Sequence, residues 1–133
     1  MSHCVADTHA VIWYLLNDPR LSPAALTAMQ NAAAGGDCVF VSAITLVEII
    51  YLIEKGRFPQ SLLAGVMTAL NDPASELTIS FLDDEIAQAI QQIPRAIVPD
   101  MPDRIIAATA LHLNLPLVTA DHKIQASNVR TIW

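Results

Sequence analysis

Four acidic side chains stand where an acid needs a reason. Asp7 follows directly on the small apolar stretch Cys4-Val5-Ala6, and Glu48 interrupts an apolar helical run. Asp103 opens a helical segment, and Asp121 lies just past Leu117-Val118-Thr119. Carboxylate oxygens are hard donors, and four of them drawn to one sheet edge would repel one another unless a cation compensated. Oxygen donors of this kind suit Mg or Mn better than zinc. The expectation is that these acids meet around divalent metal.

Each acid also has a plainer use. Asp7 sits on a strand-to-helix turn, where its carboxylate could simply cap the helix beginning at Thr8. Asp121 could do the same for residues 122–125. Pro102 suits a first helical position, which puts Asp103 in the first turn, where the helix dipole alone favours an acid. Asp100 competes with it: Asp100 could cap that helix while Asp103 binds metal, or support the site from behind. Arg104 is most simply a salt-bridge partner, with a hold on substrate phosphate as the sharper alternative. Glu48 has Ile44, Tyr51 and Leu52 one turn away and Leu46, Val47, Ile49 and Ile50 around it. A carboxylate buried there without a partner would be costly, and the plainer reading is an exposed stripe shared with Thr45 and Lys55. His9 and His112 have no metal spacing with another His or Cys and read as packed or solvated residues. No Gly-rich phosphate loop and no Ser-His-Asp arrangement is present.

The elements that must position these acids alternate. Short apolar strands are expected at residues 4–6, 38–41, 77–81, 115–119 and 129–133. Helices are expected at residues 8–16, 23–34, 42–55, 59–70, 83–93 and 103–113, with a short turn or helix after His122. Ser22-Pro23 marks one helix start and Gly35-Gly36 its stop. Residues 77–81 alternate Leu77, Ile79 and Phe81 with Thr78 and Ser80, the pattern of a half-exposed edge strand. Strands separated by helices imply an α/β fold, a three-layer α/β/α sandwich around a five-stranded parallel sheet. The order 3-2-1-4-5 would set the first and fourth strands side by side and turn Asp7 and Asp121 into one crevice.

The 133 residues suffice for one domain, 1–133, with a core of its own. They are 53% hydrophobic and only 15% charged, so some apolar surface is expected to meet a partner. Residues 43–53 form the longest nearly apolar run, far short of the roughly 20 residues of a membrane span. With no basic, then apolar, leader at the N-terminus, the expected location is the cytoplasm. Cys4 and Cys38 read as small strand hydrophobes. The net charge of −6 argues against a sequence-independent grip on nucleic acid through a basic face. That objection weakens where metal neutralises several acids in one cleft.

With those residues placed, the chain resembles the PIN-domain ribonucleases, and among them the toxins of VapBC-type toxin–antitoxin pairs. The resemblance spans the chain, from Val5-Ala6-Asp7-Thr8-His9-Ala10 and Ser42-Ala43 to Glu48, then Pro102-Asp103-Arg104-Ile105-Ile106-Ala107-Ala108, and last Thr119-Ala120-Asp121. It implies a parallel five-stranded sheet with a metal-binding cleft made by Asp7, Glu48, Asp103 and Asp121. Thr8 and Thr119 match small hydroxyl positions beside that cleft. His9 matches a position that varies and carries no implied role. The implied activity is hydrolysis of RNA with one or two Mg or Mn ions held by Asp7, Asp103 and Asp121, while Glu48 orients or deprotonates the attacking water. The resemblance further implies a homodimer silenced by an antitoxin whose C-terminal segment lies across the cleft, and residues 43–70 offer it an apolar groove.

Two other classes compete. A phospho-receiver signalling domain is also a small acidic α/β sheet, with Asp83 or Asp84 as its phosphorylated acid. Against it, Asp7 stands alone after the first strand, and no lysine ends the last strand. A PIN domain that binds RNA without cleaving it is the third reading.

Overall fold

A computed structural model describes residues 1–133. The chain runs β1 (Cys4–Ala6), α1 (Thr8–Leu15), α2 (Pro23–Ala34), β2 (Val39–Ser42), α3 (Ala43–Glu54), α4 (Ser61–Asn71) and β3 (Leu77–Ser80). It continues through α5 (Asp84–Ala89), a 3-10 turn (Ile90–Gln92), α6 (Met101–Leu113), β4 (Leu117–Val118), α7 (His122–Gln125) and β5 (Thr131–Ile132). The five strands form one sheet in the order β3-β2-β1-β4-β5, every pair parallel. The expected architecture and order are therefore the observed ones. No helix is long and apolar enough to cross a membrane.

Period-two alternation splits the strands between two cores. Cys4 and Ala6 of β1 join Ala25, Met29 and Ala32 of α2 on one face, with Val39 and Val41 of β2. Val5 turns the other way, onto Ile106, Ala107 and Ala110 of α6 and Ile86 and Ala89 of α5. Ile12, Ile49, Leu62 and Val66 form a third, smaller cluster where α1, α3 and α4 meet. The sheet is thus covered on both faces, which is why β1 and β2 read as unbroken apolar runs. β3 lies at the edge, and of its residues only Leu77 is buried.

Several boundaries differ from the expected ones, for reasons that lie in hydrogen bonding and strand pairing. β4 is two residues long because the Leu115 amide donates to the Ala110 carbonyl at 3.0 Å, closing α6 over Asn114 in the left-handed region (φ 54°). β2 begins at Val39, since the Cys38 amide donates to His3 Nδ1 at 2.9 Å. Its end overlaps the next element: Ser42 pairs with Ser80 of β3, and its hydroxyl caps α3. α4 starts at Ser61, because Pro59 contributes its carbonyl, to the Leu62 amide, and not a helical turn. α5 tightens into the 3-10 turn before residue 93. β5 keeps only Thr131 and Ile132 of the expected five residues, because it pairs with the short β4 alone.

Candidate functional site

β1 and β4 are neighbours, with Val5 opposite Leu117 and Ala6 opposite Val118, and the next strands lead away on opposite sides. Their C-terminal ends therefore open a crevice at the point where strand order reverses. A cleft of about 340 Å³ lies there. β1 and α1 line it with Asp7, Thr8, His9 and Trp13, α3 with Glu48, the start of α6 with Asp100 and Asp103, and the turn after β4 with Ala120 and Asp121. All four acids singled out in the sequence, and Asp100 with them, are brought to one place.

The capping roles and the cleft positions turn out to be the same positions. Asp7 Oδ1 accepts the Ala10 amide at 2.9 Å, and Asp121 Oδ1 accepts the amides of Lys123 and Ile124 at 2.8 and 3.0 Å. Asp100 Oδ1 accepts the Asp103 amide at 3.1 Å and caps α6. The helix consequently begins at Met101, so Pro102 occupies its second position and Asp103 the third. In each case one carboxylate oxygen is fixed by the start of a helix, which holds the side chain in one orientation.

Glu48 is half-buried, not part of an exposed stripe, because the first turn of α1 packs against it. Thr8 Oγ1 donates to Glu48 Oε1 at 2.5 Å and lies 3.1 Å from Thr45 Oγ1, and Thr45 is fully buried. Thr119 Oγ1 accepts the Asp121 amide at 3.0 Å, tying the turn after β4 to its own strand. Arg104 corrects the expectation made for it. It forms no salt bridge and does not face the cleft; it donates to the Ile93 carbonyl at 2.9 Å and the Ile90 carbonyl at 3.0 Å. The Ile93 carbonyl ends a helical segment without a backbone donor, and the Ile90 carbonyl already accepts the Ile93 amide at 3.0 Å, so the guanidinium fork satisfies the one and adds a second donor to the other.

Crowded acids in a partly dry cleft resist ionisation. Burial, then the charges of Asp100, Asp121, Glu48 and Asp7, push the Asp103 carboxyl up to about 7. Burial also raises Asp7, with Asp121 adding to the effect and the Thr119 side chain and the Ala10 amide opposing it. Burial raises Glu48 in the same way, against the hydrogen bond from Thr8. The donor set is all oxygen and its members disfavour one another's charge, which fits a hard divalent cation. As folded, no three of these side chains form a ready-made ion site, so the acids that cap no helix, Asp103 and Glu48, would turn to close on a cation.

Thr45, His9 and Trp13 were not singled out in the sequence as site residues. Thr45 reads there as a helix-face polar residue, and only the packing of α1 on α3 reveals its partner. His9 and Trp13 carried a usable signal, since they lie one turn apart on the helix that starts at Asp7.

A model of the PIN domain matches residues 4–128. Ribonuclease VapC22 of Mycobacterium tuberculosis is 29% identical over 126 residues, covering 95% of this chain and 92% of that protein. Among solved structures, VapBC2 from Rickettsia felis, bound to a DNA fragment from its promoter, superposes with a TM-score of 0.72 at 16% identity. It covers 97% of this chain and 96% of that one. FitAcB from Neisseria gonorrhoeae superposes with a TM-score of 0.62 at 19% identity, covering 96% and 95%. A family model that accounts for nearly the whole chain, a matching strand order and an acidic cleft at the reversal point lead to one conclusion: the chain belongs to the PIN domain family.

Proposed function

We propose that this chain is a divalent-metal-dependent endoribonuclease acting as the toxin of a toxin–antitoxin pair. The observation that carries the reading is the convergence of Asp7, Glu48, Asp103 and Asp121 on one cleft. Its relative from Mycobacterium tuberculosis is named a ribonuclease, and one structural neighbour, from Klebsiella pneumoniae, is a toxin–antitoxin complex, which supports the same assignment. Asp7, Asp103 and Asp121 would hold Mg or Mn, with Asp100 fixing the backbone under Asp103. Such an ion, when bound, lowers the pKa of water and offsets charge on a phosphodiester. Glu48, held by Thr8 and raised by burial, is suited to take the proton of the attacking water. In-line attack of that water on phosphorus, with the P–O3′ bond breaking and the 3′ oxygen leaving, gives a 5′ phosphate and a 3′ hydroxyl.

The antitoxin is assigned to the groove beside the cleft. Ile44, Val47, Tyr51 and Leu52 of α3 and Met101 and Pro102 of α6 line about 290 Å³ there, with Glu48 and Lys55 at its edges. The groove is narrower than residues 43–70, because Leu62 and Val66 of α4 are spent in the core. A homodimer in the cytoplasm belongs to the same reading. The receiver alternative loses its acceptor: Asp83 Oδ1 takes the Ile86 amide at 2.8 Å to cap α5 beyond the edge strand, and neither Asp83 nor Asp84 lines the cleft.

The test is cleavage of cellular RNA with Mg or Mn, with a chelator control and mapping of the new ends. The parent should cut and leave 5′ phosphates, and Asp7→Asn should lose at least about a hundredfold of that rate while staying folded. Cleavage that survives chelation, or that Asp7→Asn leaves intact, would overturn the assignment. RNA binding without any cleavage would favour a PIN domain that only binds.

A further inference from the structure

The wall of the cleft next to Asp7 is aromatic. His9 is exposed and its ring stands 5.4 Å from that of Trp13, tilted by 47°. Trp13 in turn meets Trp133 at 5.8 Å and 57°, and the Arg20 guanidinium lies 5.2 Å from the centre of a Trp13 ring. Arg20 is itself held by Asp18 through hydrogen bonds of 2.7 and 3.1 Å. Trp13 Nε1 is buried without an acceptor, although a buried indole N–H ordinarily finds one. The indole is therefore placed for its faces, and what it supports is the most exposed ring of the stack.

We propose that His9, backed by Trp13, is a stacking platform for the nucleobase next to the phosphate that the cleft engages. The proposal rests on the ribonuclease reading and adds to it where a base would sit. Three features favour a base over another ligand. His9 and Trp13 both line the acidic cleft, so the platform is two residues from Asp7 along the same turn. Base stacking is indifferent to the net charge of −6 that works against phosphate contacts, so it gives an acidic protein a hold on single-stranded RNA that a basic face would otherwise supply. The stack behind His9 is fixed at its far end by Trp133 and Arg20, so little ordering is left for binding to cost.

The test compares two strands of equal charge: a single-stranded 12-nucleotide oligoadenylate and the same backbone with abasic riboses. Binding is read by fluorescence anisotropy with calcium replacing Mg or Mn and strand integrity checked on a gel. The parent should prefer the base-bearing strand. His9→Ala should weaken binding of that strand about tenfold and leave the abasic strand unchanged. His9→Phe should restore the preference, and melting temperatures should stay within error because the side chain is exposed. Equal loss on both strands, or rescue by His9→Lys and not by His9→Phe, would make the role electrostatic and overturn the proposal. So would an indifferent His9→Ala, which would assign the ring to the protein-docking groove it also borders. If the parent cleaves cellular RNA and only the His9 results fail, the ribonuclease reading stands; if the parent neither binds nor cleaves RNA, both fall.

Discussion

Asp103 carries a strongly perturbed carboxyl, and its protonation ties stability to pH. Its ordinary value of 3.8 in the unfolded chain rises to about 7 in the fold. Between these values the folded protein holds a proton that the unfolded chain has released, so stability declines as pH climbs from about 4 to about 7 and then levels off. In metal-free protein at pH 8, Asp103→Asn should therefore raise the melting temperature by a few degrees, and the gain should vanish near pH 4. Scanning calorimetry in chelator checks this, and a melting temperature at pH 8 that Asp103→Asn lowers would refute it. The positions of Asp7, Asp103 and Asp121 were legible because each stands at a junction of two patterns in the sequence. Arg104 was not. Its neighbour Asp103 suggested a pair, yet adjacent residues on a helix diverge by about 100° and rarely meet. The carbonyls it serves lie 11 and 14 residues upstream, a relation visible only once α5 packs on α6.

At the scale of elements, Arg104 joins α6 to the end of the helical segment before it. Arg104→Met keeps the stem and removes the fork, leaving the Ile93 carbonyl without a donor and the Ile90 carbonyl with the Ile93 amide alone. The expected loss is about 2 kcal/mol of unfolding free energy in urea titration, with the cleavage rate of the folded fraction unchanged. A large fall in that rate with stability preserved would instead return Arg104 to the phosphate. Helices were read well where side chains punctuate them. Ser22 with Pro23 opens α2, its hydroxyl accepting the Ala25 amide at 3.1 Å, and Asp83 opens α5 in the same way. Strand ends were read less well, because a strand stops where its neighbour stops, as β5 does against β4. Pairing of this kind has no local signature.

Across the whole molecule, strands alternating with helices imply a parallel sheet and right-handed crossovers restrict its topology, while the order itself follows from setting the two acid-ended strands side by side. The division into two cores depends on α6, whose Ile106, Ala107, Ala108 and Ala110 are all buried against Val5 and Leu117. Ile106→Ala should cost about 2–5 kcal/mol by opening a cavity beneath the start of the helix that presents Asp103. The measurement is the denaturant midpoint, and a shift equivalent to less than about 1 kcal/mol would mean that the site collapses freely. The groove proposed for the antitoxin was legible only as the whole of residues 43–70, since composition does not say which of two apolar helices is spent on the core. Carboxylate oxygens of Asp7 and Asp121 begin α1 and α7. Asparagine starts a helix about as well as aspartate does, and it carries no charge into a crowded crevice. In the proposed metal site, a single exchange at Asp7 or Asp121 would thus extinguish cleavage while removing a charge from the crevice. Descendants of such a protein can fall silent and become sturdier in one step, so inert copies are expected to endure as well-folded molecules.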